Sequence, residues 1–147
     1  MVTVHEAAFT RLDTQTLYEI LRLREEVFVV EQSCIYRDID GRDLESDTRH
    51  CWIAEEDQVV AYLRVLREPD GSWRIGRVAT AEHARRRGLA STLVRDALTR
   101  IDGAVVLDAQ TYATAMYERL GFVVDGPEFL EDGIPHSPMR LGDAADR

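Results

Sequence analysis

Apolar residues recur along the chain at the spacing of strands in some segments and at the spacing of helices in others. At the start of the chain they predict a strand followed by a helix. Residues 2–9 read as the first strand. Asp13 or Thr14 can then cap a helix, because short oxygen-bearing side chains favour that position. The apolar stripe repeats at helical spacing and continues through a kink to about Val30, with Leu17, Ile20, Leu21, Val27 and Phe28 as members.

Three further strands follow a polar, acidic loop at residues 31–49. A loop of this length inside a compact domain is usually functional or mobile. The strands are predicted at residues 51–54, 59–66 and 72–80, with turns at 56–58 and 69–71. Gly76 interrupts the last strand, which predicts a bulge or a close approach of another backbone.

The last third of the chain alternates between helices and strands. The strongest helical pattern runs from Gly88 to Ile101, where two adjacent apolar rows make one broad buried face. A polar loop containing Asp132 to His136 separates the two closing strands. The remaining predictions are a buried strand at 104–109, a short helix at 111–120 ended by Gly121, and closing strands at 122–124 and 139–141.

This order of elements determines the fold class. The three-strand meander must be antiparallel, whereas the strand–helix–strand step from residue 72 to 109 must place its strands parallel. The sequence therefore predicts an α/β (mixed α+β) fold, with a central, mixed, mostly antiparallel twisted sheet and helices on both faces. We expect one domain over residues 1–141 and a flexible tail over 142–147.

Composition and charge exclude several classes of partner. The 147 residues are 45% hydrophobic, which suits one globular domain. Eighteen basic and 27 acidic residues give a net charge of −9, so nucleic acid and anionic membranes are poor partners and a cationic substrate is a better one. Two separated cysteines, Cys34 and Cys51, predict reduced thiols and no metal site.

The sequence shows neither a signal peptide nor a membrane span. The opening residues lack a basic segment followed by an apolar run. No apolar run approaches the roughly 20 residues that cross a bilayer. We therefore expect a cytoplasmic protein.

Arginines and a glycine lie together where a strand leads into the amphipathic helix. The segment reads Arg85-Arg86-Arg87-Gly88-Leu89-Ala90. A helix start leaves backbone N–H groups unpaired, and the helix dipole adds positive charge there. Gly88 lets a phosphate approach the backbone, and Ala90 keeps the first turn narrow. The segment therefore describes a pyrophosphate cradle, the alternative being a solvated basic turn.

This cradle and a second motif resemble one enzyme family. Arg-x-x-Gly-x-Ala at Arg85 to Ala90, after a strand ending in Val78-Ala79-Thr80, resembles the acetyl-CoA signature of the GNAT N-acetyltransferases. Residues 113–122, with Tyr117 inside them, are similar to that family's A-x-x-x-Tyr-x-x-x-Gly-Phe segment. The two motifs have the family's order and separation, and the resemblance covers nearly the whole chain. Residues 23–32 and 131–136 resemble the ElaA-like branch.

The resemblance implies a GNAT-like fold with acetyl-CoA as co-substrate. Val78 and Thr80 would offer backbone groups to the pantetheine arm, and an N–H near Ala79 or Thr80 would stabilise the oxyanion. Tyr117 would protonate the departing thiolate, the alternative being a packing aromatic. The pyrophosphate would be held by Arg85, Arg86, Arg87, Gly88, Leu89 and Ala90, with Ser91 or Thr92 just inside the helix.

The acceptor side is less sharply defined by sequence. A carboxylate or histidine must take a proton from the amine, and the unranked candidates are Glu31, Asp38, Asp40, His50 and His136. The acidic loop at 31–47 either attracts a cationic amine or is a solvated flap. Asp108 and Gln110, at the C-terminal end of the parallel strand, can line the cleft.

The sequence thus predicts an acetyl-CoA-dependent N-acetyltransferase. A primary amine, on a small molecule or a protein, would attack the thioester directly in a ternary complex. The alternatives are another acyl-CoA-using transferase on the same fold, such as an acyl-homoserine-lactone-synthase-like protein, and a non-catalytic CoA-binding module. The closing strands are a candidate edge for a homodimer.

Overall fold

The computed structural model describes residues 2–142, and eight strands of this part of the chain form one sheet. The strands are β1 (His5–Ala7), β2 (Arg49–Glu55), β3 (Gln58–Arg67), β4 (Trp73–Thr80), β5 (Val105–Gln110), β6 (Val123–Val124), β7 (Phe129–Glu131) and β8 (Ile134–Leu141). The helices are α1 (Thr14–Arg24), α2 (Leu89–Leu98) and α3 (Thr114–Arg119). The predicted tail begins at Gly142, and its residues 143–147 lie outside the described residues.

The sheet runs in the order β1-β2-β3-β4-β5-β8-β6, and β7 also pairs with β8. Every pair is antiparallel except β4 with β5. Arg24 of α1 lies over the Tyr62 ring, 5.7 Å from its centroid, so α1 covers that face of β3. Because side chains alternate along a strand, Leu63 faces the opposite side, which α2 covers. The predicted mixed, mostly antiparallel sheet with helices on both faces is confirmed.

The first helix begins at the predicted cap and continues from α-helical into π-helical turns. The Asp13 carboxylate accepts a hydrogen bond of 2.7 Å from the Thr16 N–H, which caps α1. The predicted kink is a π-helical segment over Glu25–Glu31, directly after α1. Such widened turns are frequent at functional sites. Phe28 and Glu31 of this segment line the cavity described below.

A bulge interrupts β4 one residue later than the glycine that predicted it. Tyr62 pairs with Ala79 and Arg64 pairs with Gly76, so the single residue between them on β3 faces two residues on β4. The left-handed conformation falls on Arg77, at φ 53°. Local backbone strain of this kind persists only where surrounding contacts hold it.

The C-terminal region differs most from the sequence prediction. Residues 129–141, of which only the last three were predicted as strand, form a hairpin of β7 and β8 around Asp132-Gly133. Both turn residues have positive φ, as the two-residue type I′ turn requires. Prolines inside β8 obscured its pattern, since Pro is rare in strands. Elsewhere, β1 covers three residues rather than the predicted 2–9, and α2 ends at Leu98 rather than at Ile101.

The core forms one continuous cluster on the two faces of the sheet, with Ile20 and Leu23 of α1 and Leu93 and Val94 of α2 fully buried. No helix within residues 2–142 is long and apolar enough to cross a membrane.

Gly121 provides a test of how α3 is ended. It has φ +101°, and a Cβ added there would lie 3.2 Å from Leu141 Cδ1. We expect Gly121→Ala to lower the free energy of unfolding by about 1–3 kcal/mol, since strain and crowding act together. Gly133→Ala, at φ +78° with open space around it, is the control for strain alone. If urea titrations show that Gly121→Ala loses no more free energy of unfolding than Gly133→Ala, crowding against Leu141 is contradicted.

Candidate active site

The parallel strands β4 and β5 separate soon after they meet. They pair at Trp73 with Val105 and at Arg74 with Val106, and no further register is shared. A cavity of about 1040 Å³ opens where the strands diverge. Since β4 is bonded to β3 on its other side, its free edge offers backbone groups to this cavity.

The predicted cofactor residues on β4 line this cavity. Val78, Ala79 and Thr80 all lie on its wall. Val78 is the second residue of the bulge and the other two follow it, where the strand has left its parallel partner. Their alternate N–H and C=O groups therefore face the gap rather than another strand.

The start of α2 borders the same cavity through Ala90. Gly88 is the N-cap at φ +73°, and no side chain caps this helix. The first N–H groups of α2 therefore lack an acceptor. A Cβ built on Gly88 meets no atom within 4 Å, so the space before the helix is open. Leu89 is buried and anchors the turn, while Ser91 and Thr92 are half-buried behind it.

The three adjacent arginines diverge in the structure. Arg85 lines the cavity, and its Nη2 lies 2.9 Å from both carboxylate oxygens of Glu31. Its Nε donates to the Thr80 carbonyl at 3.1 Å. Arg87 pairs with Glu55 instead, with Nη2 2.5 Å from Oε2. Arg86 is exposed, so only Arg85 of the three faces the cavity.

Tyr117 lies on α3 with its ring inside the core and its residue on the cavity wall. The residue is 6% exposed and packs edge-on against Phe122, with 6.0 Å between ring centroids. Burial raises the pKa of Tyr117, so the phenol stays protonated at neutral pH.

Beside the bulge, six charged side chains close into a ring, called the charge ring below. Its nitrogen–oxygen distances lie between 2.6 and 3.4 Å. Three positive charges face three negative ones, so the ring is neutral. Its members alternate in the order Arg24, Asp43, Arg64, Asp40, Arg77 and Asp38, and Asp38 returns to Arg24.

The charge ring changes the interpretation of the acidic loop. Burial disfavours the charged form of Asp40, but hydrogen bonds from Arg64 and the Arg42 N–H, together with the charges of Arg64 and Arg77, outweigh it and hold the pKa of Asp40 below its usual range. Asp38 is bound by Arg24 and Arg77. These carboxylates neutralise the protein's own arginines, so the expectation that they attract a cationic amine is not supported.

His50 lies away from the cavity. It is 1% exposed, with Nδ1 2.7 Å from the Tyr62 hydroxyl and Nε2 3.1 Å from the Asp43 carbonyl. Burial lowers its pKa and keeps the ring neutral. Since both nitrogens are bonded and the residue does not line the cavity, the structure separates His50 from Glu31, Asp40 and His136, which do line it.

Of the other predicted substrate residues, all but Asp38 line the cavity. Asp108 and Gln110 line it from β5, and Asp108 is bound by Arg74 at 3.0 Å. His136 lines it from β8. Sequence reasoning missed several lining residues, namely Tyr36, Arg64, Arg74, Arg77, Tyr112 and Asp132. One signal was available, because Arg64 interrupts the apolar run of β3 and a buried charge needs a partner.

Comparison with known proteins shows the family of the chain. The model of the Acetyltransferase (GNAT) domain family matches residues 13–142. The chain belongs to the GNAT family. This confirms the resemblance stated from the two motifs.

Individual GNAT relatives agree over most of the chain. A UPF0039 protein of Mycobacterium tuberculosis is 50% identical, covering 87% of this chain and 85% of its own. The crystal structure of Escherichia coli ElaA is 36% identical with a TM-score of 0.89, covering 95% of this chain and 99% of its own. An acyl-CoA N-acyltransferase structure from Pseudomonas aeruginosa is 40% identical, with a TM-score of 0.88 and the same coverage.

These matches make the chain an acyltransferase and confirm the likeness to ElaA. A CoA-dependent acyl-homoserine lactone synthase is 19% identical with a TM-score of 0.77, which shows a shared fold alone.

The charge ring predicts a large cost for losing one carboxylate. Asp43→Asn leaves Arg24 and Arg64 without their shared counter-charge, so we expect the free energy of unfolding to fall by about 3–5 kcal/mol at pH 7. The control Asp47→Asn, at an exposed position of the same loop, should stay within about 0.5 kcal/mol. Equal effects of the two variants in urea titrations contradict the prediction.

The same variant has a predicted pH dependence. Burial raises the pKa of Asp43, but the arginines outweigh burial and the net pKa is lowered. A lowered pKa stabilises the fold above the ordinary carboxyl value of about 4, and this contribution is lost as the pH falls through the folded-state pKa. The difference between wild type and Asp43→Asn should therefore shrink below pH 4. A constant difference down to the acid transition contradicts this.

Proposed function

We propose that the protein is an acetyl-CoA-dependent N-acetyltransferase that transfers the acetyl group to a primary amine, on a small molecule or a protein, by direct attack in a ternary complex. One observation carries the proposal: the uncapped start of α2, the free edge of β4 and Tyr117 lie along one cavity. When bound, acetyl-CoA supplies an activated acyl thioester.

The diphosphate would be held at the start of α2. The unpaired N–H groups of the first turn point out of the helix end, and the helix dipole favours an anion there. Gly88 leaves the approach open, as its position without neighbouring atoms indicates. Arg85 would add a full charge, with its guanidinium already oriented by Glu31 and the Thr80 carbonyl.

The pantetheine arm would lie along the free edge of β4. Val78 and Thr80 would pair with its amides as another strand would. An N–H near Ala79 or Thr80 would donate to the oxyanion formed when the amine attacks. A backbone donor is fixed before the reaction, so it needs no reorganisation as charge develops.

Tyr117 would protonate the departing thiolate. Its hydroxyl makes no hydrogen bond to another protein group within residues 2–142 and is therefore available to a ligand. The raised pKa keeps it in the acid form. Burial beside Phe122 fixes the direction of the ring.

The diphosphate site is tested by two matched glycine variants. Gly88→Ala and Gly71→Ala both place a Cβ in open space at positive φ, +73° and +91°. Each should lose roughly 1–2 kcal/mol of stability. Only Gly88→Ala should weaken CoA binding in calorimetry, by about tenfold or more, because one charge-assisted hydrogen bond is worth about 1.5–3 kcal/mol. Equal affinity of the two variants for CoA contradicts the site.

The acid role is tested by Tyr117→Phe. We expect kcat for acetyl transfer to fall by about 10²-fold, the lower end for general acid catalysis, with little change in KM for acetyl-CoA. Wild-type kcat should show no loss from phenol ionisation below pH 10, because the pKa of Tyr117 is raised. Tyr18→Phe, on the exposed side of α1, is the control. An unchanged kcat in Tyr117→Phe excludes the role.

A further inference from the structure

Direct attack requires a base, and the structure ranks the five candidates that sequence left unranked. Glu31 is held by Arg85, and Asp38 and Asp40 belong to the charge ring. His50 is bonded at both nitrogens away from the cavity. Each of these three carboxylates already has an oxygen engaged by a guanidinium, which competes with a substrate for the lone pairs of that group. His136 is the candidate that remains.

The hydrogen bond of His136 determines its tautomer. Nδ1 lies 2.8 Å from the Ile134 carbonyl. A carbonyl oxygen can only accept, so Nδ1 carries the proton and Nε2 of the neutral ring keeps its lone pair. Phe129 stacks on the imidazole with 5.8 Å between centroids and a 23° interplanar angle, which holds its plane.

The free nitrogen keeps accessible surface, although the residue as a whole is buried at the cavity wall. His136 is 8% exposed and lines the cavity together with Tyr117. Its Nε2 is 3.7 Å from Glu131 Oε2, too long for a hydrogen bond but close enough for an ion pair once the ring is charged. Nε2 has no hydrogen-bond partner among residues 2–142. An accessible ring nitrogen that keeps its lone pair and has no protein partner is available to accept a proton from a ligand in the cavity.

We propose that Nε2 of His136 is the general base that takes a proton from the acceptor ammonium, and that Glu131 stabilises the imidazolium. This rests on the proposed function. The free amine then attacks the thioester carbonyl, the C–N bond forms and the C–S bond breaks. Tyr117 gives its proton to the thiolate and regains one from the amide nitrogen. The net change is ammonium plus thioester to amide, thiol and one proton, which leaves His136 for solvent past the exposed Glu131.

The charged and titratable groups that share the cavity wall with His136 come from several elements. Among the described residues, Glu131 is the carboxylate within 4 Å of its ring. The same cavity wall also carries Asp132 in the β7–β8 turn, Asp108 on β5 with its partner Arg74, Tyr117 on α3 and Cys34 in the loop. The remaining charged and titratable groups on this wall are Glu31, Tyr36, Asp40, Arg42, Arg64, Arg77, Arg85 and Tyr112. Gln110, which is neutral, pairs with His136 in the sheet.

The first test needs no acceptor and no variant. The protein has four histidines, so the ring nitrogens of His136 can be assigned in the ¹⁵N-labelled wild type by through-bond NMR. At alkaline pH we expect a proton on Nδ1 and the chemical shift of an unprotonated Nε2. The opposite tautomer overturns the proposal.

The second test compares two amines of nearly equal size at neutral pH. Ethylamine is a cation and must lose a proton before attack, whereas 2,2,2-trifluoroethylamine is already uncharged. With saturating acetyl-CoA, His136→Gln should lower the rate with ethylamine by about 10²-fold or more and the rate with the fluorinated amine by less than tenfold. His5→Gln, which alters a histidine stacked on Trp52 outside the cavity, is the control.

The outcomes separate the two proposals. An equal loss with both amines, or no loss with either, overturns the base role while leaving acetyl transfer intact. If wild type acetylates neither amine, the proposed function fails and the base role fails with it. If His136→Gln does not fold, His136→Ala with added imidazole replaces it, and rescue of the ethylamine rate is the expected result. Absence of rescue then overturns the base role.

Discussion

The charge ring is the interaction on which the loop wall of the cavity depends. Its arginines come from three separate elements, Arg24 from α1, Arg64 from β3 and Arg77 from β4, whereas all three aspartates come from one loop. A buried guanidinium is costly unless it is paired. The loop is thus fixed by the need to neutralise arginines that the core would otherwise bury unpaired. This explains how a polar segment without strands becomes a wall of the cavity.

The same ring is connected to the gap in the sheet. Arg77 occupies the left-handed conformation at the bulge, and its ion pairs to Asp38 and Asp40 hold it there. A bulge bends a strand and increases its twist. Here the bend follows the two residues at which β4 pairs with β5, so the strands separate and β4 keeps a free edge. The ion pairs therefore hold the bulge, and the bulge separates the two strands between which the cavity opens.

Sequence reasoning predicts the features that depend on local patterns. The order of elements, the Asp13 cap, the bulge near Gly76 and the Gly88 start of α2 all follow from spacing or from one residue's conformational preference. The charge ring does not, because it joins residues up to 39 positions apart and depends on which face of each strand is buried. The same limit separates His50 from His136. Both are histidines in strands, and only the packed sheet shows which one has a free nitrogen at the cavity.

The distribution of charge within the cavity follows from these pairings. Each arginine on its wall has a carboxylate partner, so the excess of acidic residues in the sequence is not what a ligand meets at the loop. Two lining carboxylates have no arginine within the described structure: Glu131, whose ion-pair partner is His136, and Asp132. Both belong to the β7–β8 hairpin. In the proposed mechanism, the hairpin that supplies the His136 imidazole would also supply negative charge near an incoming ammonium, so that attraction and deprotonation of the amine would both belong to one element.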